Sequence, residues 1–139
     1  MKSIFIICVL MSAFNLQQSP TETITVEVTN IKEASGFIRI GLYDRKDVFM
    51  KKSVQYHKVP VHQTGSCKIN FENIPTGRYA ISLYHDKNGN GKLDSNFMKI
   101  PKEPYGFSNN ASGLFGPPSF EQASFEVQKE ANLMLKIKL

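Results

Sequence analysis

From Ile24 onward the chain alternates apolar and polar residues with a period of two, and this pattern limits what it can fold into. In TITVEVTN, Ile24, Val26 and Val28 share one face, with Thr25, Glu27 and Thr29 on the other. In FIRIGLYD, Ile38, Ile40 and Leu42 face one way, and Arg39, Gly41 and Tyr43 the other. The same alternation organises QYHKVPVH (55–62), CKINF (67–71), RYAISLYH (78–85), SFEV (124–127, with Ala123, Phe125 and Val127 inward) and the run Asn132 to Leu139. Successive strand side chains point to opposite faces, so each run predicts a half-buried strand. Pro60 cannot donate to a ladder, which places its strand at an edge. No helical period outlasts one turn, so the crossover helices of a parallel α/β sheet are missing. Strands with one apolar face each must pair that face against another sheet. The expectation is an all-β, seven-stranded antiparallel sandwich of immunoglobulin-like or transthyretin-like topology.

One stretch breaks the pattern. His85 to Phe120 is rich in Gly, Pro and Asn and has no regular period, yet it carries Phe97, Ile100, Tyr105, Phe107, Leu114, Phe115 and Phe120. Disordered segments are poor in aromatics, so this is read as one long ordered loop. A second break, Arg45 to Ser53, holds Val48, Phe49 and Met50 among charges and predicts a single helical turn tucking Phe49 against the sheet edge.

Before the first strand, Lys2 and the apolar run Ile4 to Phe14 have the form of a secretory signal peptide, too short to span a bilayer. The organisation expected is a leader at 1–18 and a single domain at 19–139, exported to the periplasm or beyond the cell, with no transmembrane segment in the mature chain. Cys8 would leave with the leader, so Cys67 alone remains, and its inward parity predicts a buried structural thiol. The net charge of +5 is mild and its basic residues are scattered. Nucleic-acid binding needs a dense basic stripe, and none is present.

The strongest local chemical signal is DKNGNGKLD. Calcium loops place oxygen ligands at alternate positions, with Gly sixth for the sharp turn. Those positions are Asp86, Asn88, Asn90, the Lys92 carbonyl and Asp94, with Gly91 sixth. Phe97 stands where a bidentate Glu would close such a site, so any calcium binding would be weak. The same Asn-Gly pairs are also ordinary turn chemistry, and both readings stay open. Calcium is the one candidate cofactor, and none is required. His57 and His62 have opposite parity, so they do not form a zinc pair. No GxSxG motif is present. The only acid–base cluster available to an enzyme acting in the cell envelope is His85, Asp86 and Glu103, although His85 continues the inward face of its strand and is read rather as an anchor that holds the loop by a hydrogen bond. Tyr105, Phe107, Asn109, Asn110 and Phe115 form the candidate ligand-binding set on the loop, with an envelope protein or a glycan as partner. The alternative for the aromatics is a small core gluing the loop to the scaffold.

The loop also resembles a known family, the secreted bacterial proteins grouped as domain of unknown function 2141. The residues carrying the likeness are His85-Asp86, Asn88, Asn90-Gly91, Asp94, Pro101, Glu103, the run Tyr105 to Asn110, Gly116-Pro117-Pro118, Phe120 and Ala123. Ile74 to Tyr79 looks like the family's turn into a strand. The likeness runs from about Ile24 to Leu139. It departs at Lys99, where the family pattern has a small residue, often Gly, before Ile-Pro. The resemblance implies an exported β-sandwich and no assigned activity. The functional expectation is a non-catalytic accessory or binding module of the bacterial cell envelope.

Overall fold

The computed structural model of the protein describes residues 21–139, so the expected leader and Cys8 lie outside the described residues. The alternating runs form strands β1 (Thr21–Ile31), β2 (Phe37–Tyr43), β3 (Gln55–Pro60), β4 (Gly65–Pro75) and β5 (Gly77–Asp86). After the long loop come a four-residue helix α1 (Phe120–Ala123), β7 (Phe125–Val127) and β8 (Leu133–Lys138). An additional strand, β6 (Tyr105–Phe107), lies inside the loop, so the described residues hold eight strands against the seven expected. A three-residue run is too short to show alternation, and β6 exists because β5 offers it an open edge.

The strands make two sheets, ordered β4-β1-β8 and β3-β2-β5-β6, with β7 also on β5. β3 is an edge strand, as Pro60 requires. Ile24, Val26 and Val28 of β1, Ile69 and Phe71 of β4, and Ile137 of β8 share one core with Ile38, Ile40 and Leu42 of β2 and Ile81 and Leu83 of β5. Each such side chain contributes roughly 1.5–3 kcal/mol on burial. No helix among the described residues is long and apolar enough to cross a membrane.

Two expectations need correction. The sheets are not wholly antiparallel: β1 and β8 run parallel, from Ile24 opposite Leu133 to Thr29 opposite Lys138. Parity says which face is buried and nothing about the direction of the neighbour. Ala123, expected to point inward from a strand, instead ends α1. Ser119 caps that helix by accepting from the Gln122 amide, while the Gln122 side chain accepts from the Ser119 amide.

The outer face of the β2–β5 sheet is not left to water. Phe49, held by a short 3-10 turn at Lys46–Val48, packs edge-on against Tyr43 at 5.3 Å and Phe120 at 5.8 Å between ring centres. Phe107 joins them, and Ala80 and Ala123 complete a second small core. Ala80 is therefore fully buried although its parity points away from the main core. The small Ala80 leaves room on that face for Phe107 and Phe120 of the long loop, and Gly41 for the Tyr43 ring, whose hydroxyl would lie 2.8 Å from a Cβ there.

Candidate functional site

The loop begins at the end of β5, whose last residues His85 and Asp86 still pair with Ile38 and Phe37 of β2. His85 is buried; its amide donates to the Pro104 carbonyl at 2.8 Å and its Nε2 donates to the Ser35 carbonyl at 2.7 Å. Asp86 is wholly buried, with Oδ2 at 2.6 Å from Arg39 Nε. Its Oδ1 accepts from the Asn90 amide at 3.1 Å and its Oδ2 from the Gly91 amide at 2.9 Å. Burial pushes the Asp86 carboxyl pKa up, but the Arg39 guanidinium and the loop amides outweigh it and hold the group below its usual range. Glu103 is the loop's second buried carboxylate, accepting from the Lys87 amide at 2.9 Å and the Asp94 amide at 3.0 Å. The first half of the loop thus folds around two carboxylates that gather its own backbone amides, Asp86 being held by Arg39 of β2 as well.

Of the five calcium-loop positions, three side chains meet. Asp94 accepts from Asn88 Nδ2 at 2.7 Å and from Asn90 Nδ2 at 2.8 Å. Asp86 is turned to Arg39 instead, and the Lys92 amide donates to Asn90 Oδ1 at 2.9 Å. Among the described residues, no group of three or more His, Cys, Asp or Glu is gathered as a metal cluster. The acid–base set is also divided: His85, Asp86 and Glu103 each engage separate partners, and no hydrogen bond joins any two of these side chains among the described residues.

The second half of the loop is held differently. β6 pairs with Ser82 to Tyr84 and β7 with Gly77 to Tyr79, leaving a gap on the same edge of β5. The buried Ser108 hydroxyl fills it, accepting from the Ile81 amide at 2.9 Å and donating to the Ala123 carbonyl. Asn109 Nδ2 donates to the Ser124 carbonyl at 2.8 Å. Asn110 binds β8 at both ends of its amide, donating to the Lys136 carbonyl and accepting from the Lys138 amide. Gly106 is required by close approach, because a Cβ there would lie 2.8 Å from both Ile137 Cγ2 and the Lys138 carbonyl oxygen. Of the ligand-binding set, then, Phe107 is buried, Asn109 and Asn110 are engaged with backbone, and only Tyr105 and Phe115 offer apolar surface.

Tyr105 lines a cleft of about 140 Å³ whose walls also include Met50, Leu93, Pro101 and Pro117, while Phe115 stands outside it. Two tight tips flank it, one reaching the cleft through Lys99 and the other through Gly116. In the first, the Asn96 amide donates to the Ile100 carbonyl and the Lys99 amide to the Asn96 carbonyl, both at 2.9 Å. The Asn96 side chain accepts from the Met98 and Ile100 amides, so the turn is rigid. Lys99 has φ +61°, the left-handed conformation that closes such turns and that glycine adopts most easily. This accounts for the small residue that the family resemblance led us to expect there. In the second tip, a Cβ on Gly113 would lie 2.3 Å from the Gly116 carbonyl oxygen, so that turn also closes on itself.

The tips carry large apolar side chains into solvent. Phe97 and Leu114 are 94% and 95% exposed, Phe115 is fully exposed and Met98 largely so. Sequence reasoning missed Met50, Phe97, Met98, Lys99 and Leu114 as site residues. Their signal was two apolar pairs, Phe97-Met98 and Leu114-Phe115, set between turn-forming Asn, Gly and Pro, where no strand or helix could bury them.

The search of curated proteins and that of solved structures found no match to this chain. The family comparison did: residues 26–134, which span most of the main core, the clamped loop and both tips, match the bacterial family DUF2141, and the chain belongs to that family of uncharacterized proteins conserved in bacteria.

Proposed function

We propose that the protein is a non-catalytic binding module of the bacterial cell envelope, exported by its N-terminal leader, in which an all-β sandwich presents the long loop. The observation that carries this reading is the pair of rigid tips with solvent-exposed Phe97, Leu114 and Phe115 on either side of one apolar cleft. Isolated exposed apolar residues are normal on a soluble surface, whereas a rimmed apolar patch marks an interaction site. The carboxylates of the loop, Asp94 and Glu103, are engaged in closing it, which supports binding over catalysis. The test compares wild type with Phe97→Ser/Leu114→Ser/Phe115→Ser in capture from envelope extracts and on a glycan array. Capture that the variant loses supports the reading; capture that the variant retains in full counts against it.

Calcium at Asp86, Asn88, Asn90, Lys92 and Asp94 is a second reading, favoured by the convergence of Asn88 and Asn90 on Asp94. An ion there would need each Asn amide to turn its oxygen inward in place of its nitrogen. With a Kd near ~10⁻⁴ M, millimolar calcium would raise the melting temperature by about 4–6 °C. Asp94→Ala should remove that shift, and no shift in wild type would leave the segment an Asn-Gly turn.

A further inference from the structure

We propose that the two tips are a docking device for an anionic phospholipid bilayer. The proposal rests on the binding reading above and names the occupant of the same site. Three observations lead to it.

The first is shape. Phe97, Leu114 and Phe115 project from tight turns with almost no contact to the rest of the chain. A protein partner would need a preformed pocket for each projecting side chain. The interfacial region of a bilayer is fluid and receives projecting aromatic and aliphatic groups wherever they arrive. The second is stiffness. The Asn96 turn and the Gly113–Gly116 closure fix the backbone beneath these side chains, so little ordering entropy remains to be lost on insertion.

The third is charge. Between residues 92 and 118 the acids are Asp94 and Glu103, and both are engaged inside the loop. The bases of that segment, Lys92, Lys99 and Lys102, are all exposed, and Lys51 and Lys52 stand exposed next to Met50 on the cleft wall. The fully exposed charges of this segment are therefore all basic, while Glu103 is buried and Asp94 is half-buried beneath Asn88 and Asn90. Each lysine close to an anionic membrane surface strengthens binding by about fivefold, and the effect fades with salt.

The chain contains no Trp, so one introduced indole reports on one position. Full-length Phe97→Trp, Phe115→Trp and, as a control away from the tips on the exposed outer face of β8, Met134→Trp are mixed with vesicles. The vesicles are phosphatidylcholine alone or phosphatidylcholine with 30% phosphatidylglycerol, each with and without brominated acyl chains. The apolar run at 4–14 is the same in all three proteins, so its own lipid affinity does not separate them. The expected result is a blue shift and bromine quenching at 97 and 115 on the anionic vesicles, weak on phosphatidylcholine alone, reduced by 0.5 M salt, and absent at 134. Lys99→Glu/Lys102→Glu in the Phe97→Trp background should cut vesicle affinity at least tenfold. Equal quenching at all three positions, or none at 97 and 115, overturns the proposal. In that case, tip-dependent capture of an envelope protein or glycan would leave the binding module standing with a different occupant, and loss of both results would remove the two readings together.

Discussion

The two halves of the long loop are ordered by opposite means. From Asp86 to Pro104 the chain winds around buried charge: Asp86 faces Arg39, and Glu103 gathers the amides of Lys87 and Asp94. From Tyr105 to Phe120 it is sewn to the scaffold by neutral groups, with Ser108 in the gap on β5, Asn109 and Asn110 on neighbouring backbone, and Phe107 and Phe120 in the outer core. Each half also leaves one tip in solvent. The difference shows that a loop without regular structure can still be ordered, provided its backbone groups find partners, and that the means chosen determines what breaks it.

Removing the buried charge should do most damage. Asp86→Ala leaves Arg39 Nε and the Gly91 amide without their acceptor and the Asn90 amide with Asn88 Oδ1 alone, and urea unfolding should show a loss of about 3–5 kcal/mol. The same group sets the acid response. The folded pKa of Asp86 lies below its unfolded value, so its contribution is complete above about pH 4 and is lost as pH falls through the folded pKa. Thermal melts of wild type should fall steeply below pH 4. In Asp86→Asn the starting stability is lower and the fall over that window shallower; an equal slope would mean that other carboxylates control acid unfolding.

The neutral half should be less sensitive and indifferent to pH. Ser108→Ala orphans the Ile81 amide and the Ala123 carbonyl, at about 1–3 kcal/mol by urea unfolding. If its cost grew between pH 4 and pH 3, the contrast between the halves would fail. Lys99→Gly works in the other direction. Relief of a left-handed φ should stabilise the fold by up to about 1 kcal/mol, read as a raised melting temperature. The smallest effect belongs to the tips: Phe97→Ser and Phe115→Ser should change stability by no more than about 0.5 kcal/mol in a urea titration. A larger loss would mean that these side chains pack in solution, and the cleft would then be a piece of core.

The loop's residues were legible in the sequence to an unequal degree. His85 as an anchor, and an aromatic core gluing the loop down, could be read from parity and from the number of rings in a Gly- and Pro-rich run. The direction of Asp86 could not. Its spacing to Asn88, Asn90 and Asp94 fits a cation loop, while its actual partner is Arg39, 47 residues earlier on β2. Asn109 and Asn110 looked like ligand contacts because nothing local claimed them, and the backbone they bind is supplied by the region after α1 and by β8.

For the fold, alternation by itself determined which residues are strand and which face each buries, because both follow from the geometry of a single extended chain. Turn chemistry set the chain reversals, and Pro60 set an edge, for equally local reasons. Tertiary structure alone decided the parallel pairing of β1 with β8, the existence of β6, and the burial of Ala80 beneath Phe49 and Phe107. These depend on which segments meet across long stretches of sequence, and a strand's own residues carry its faces without naming its neighbours.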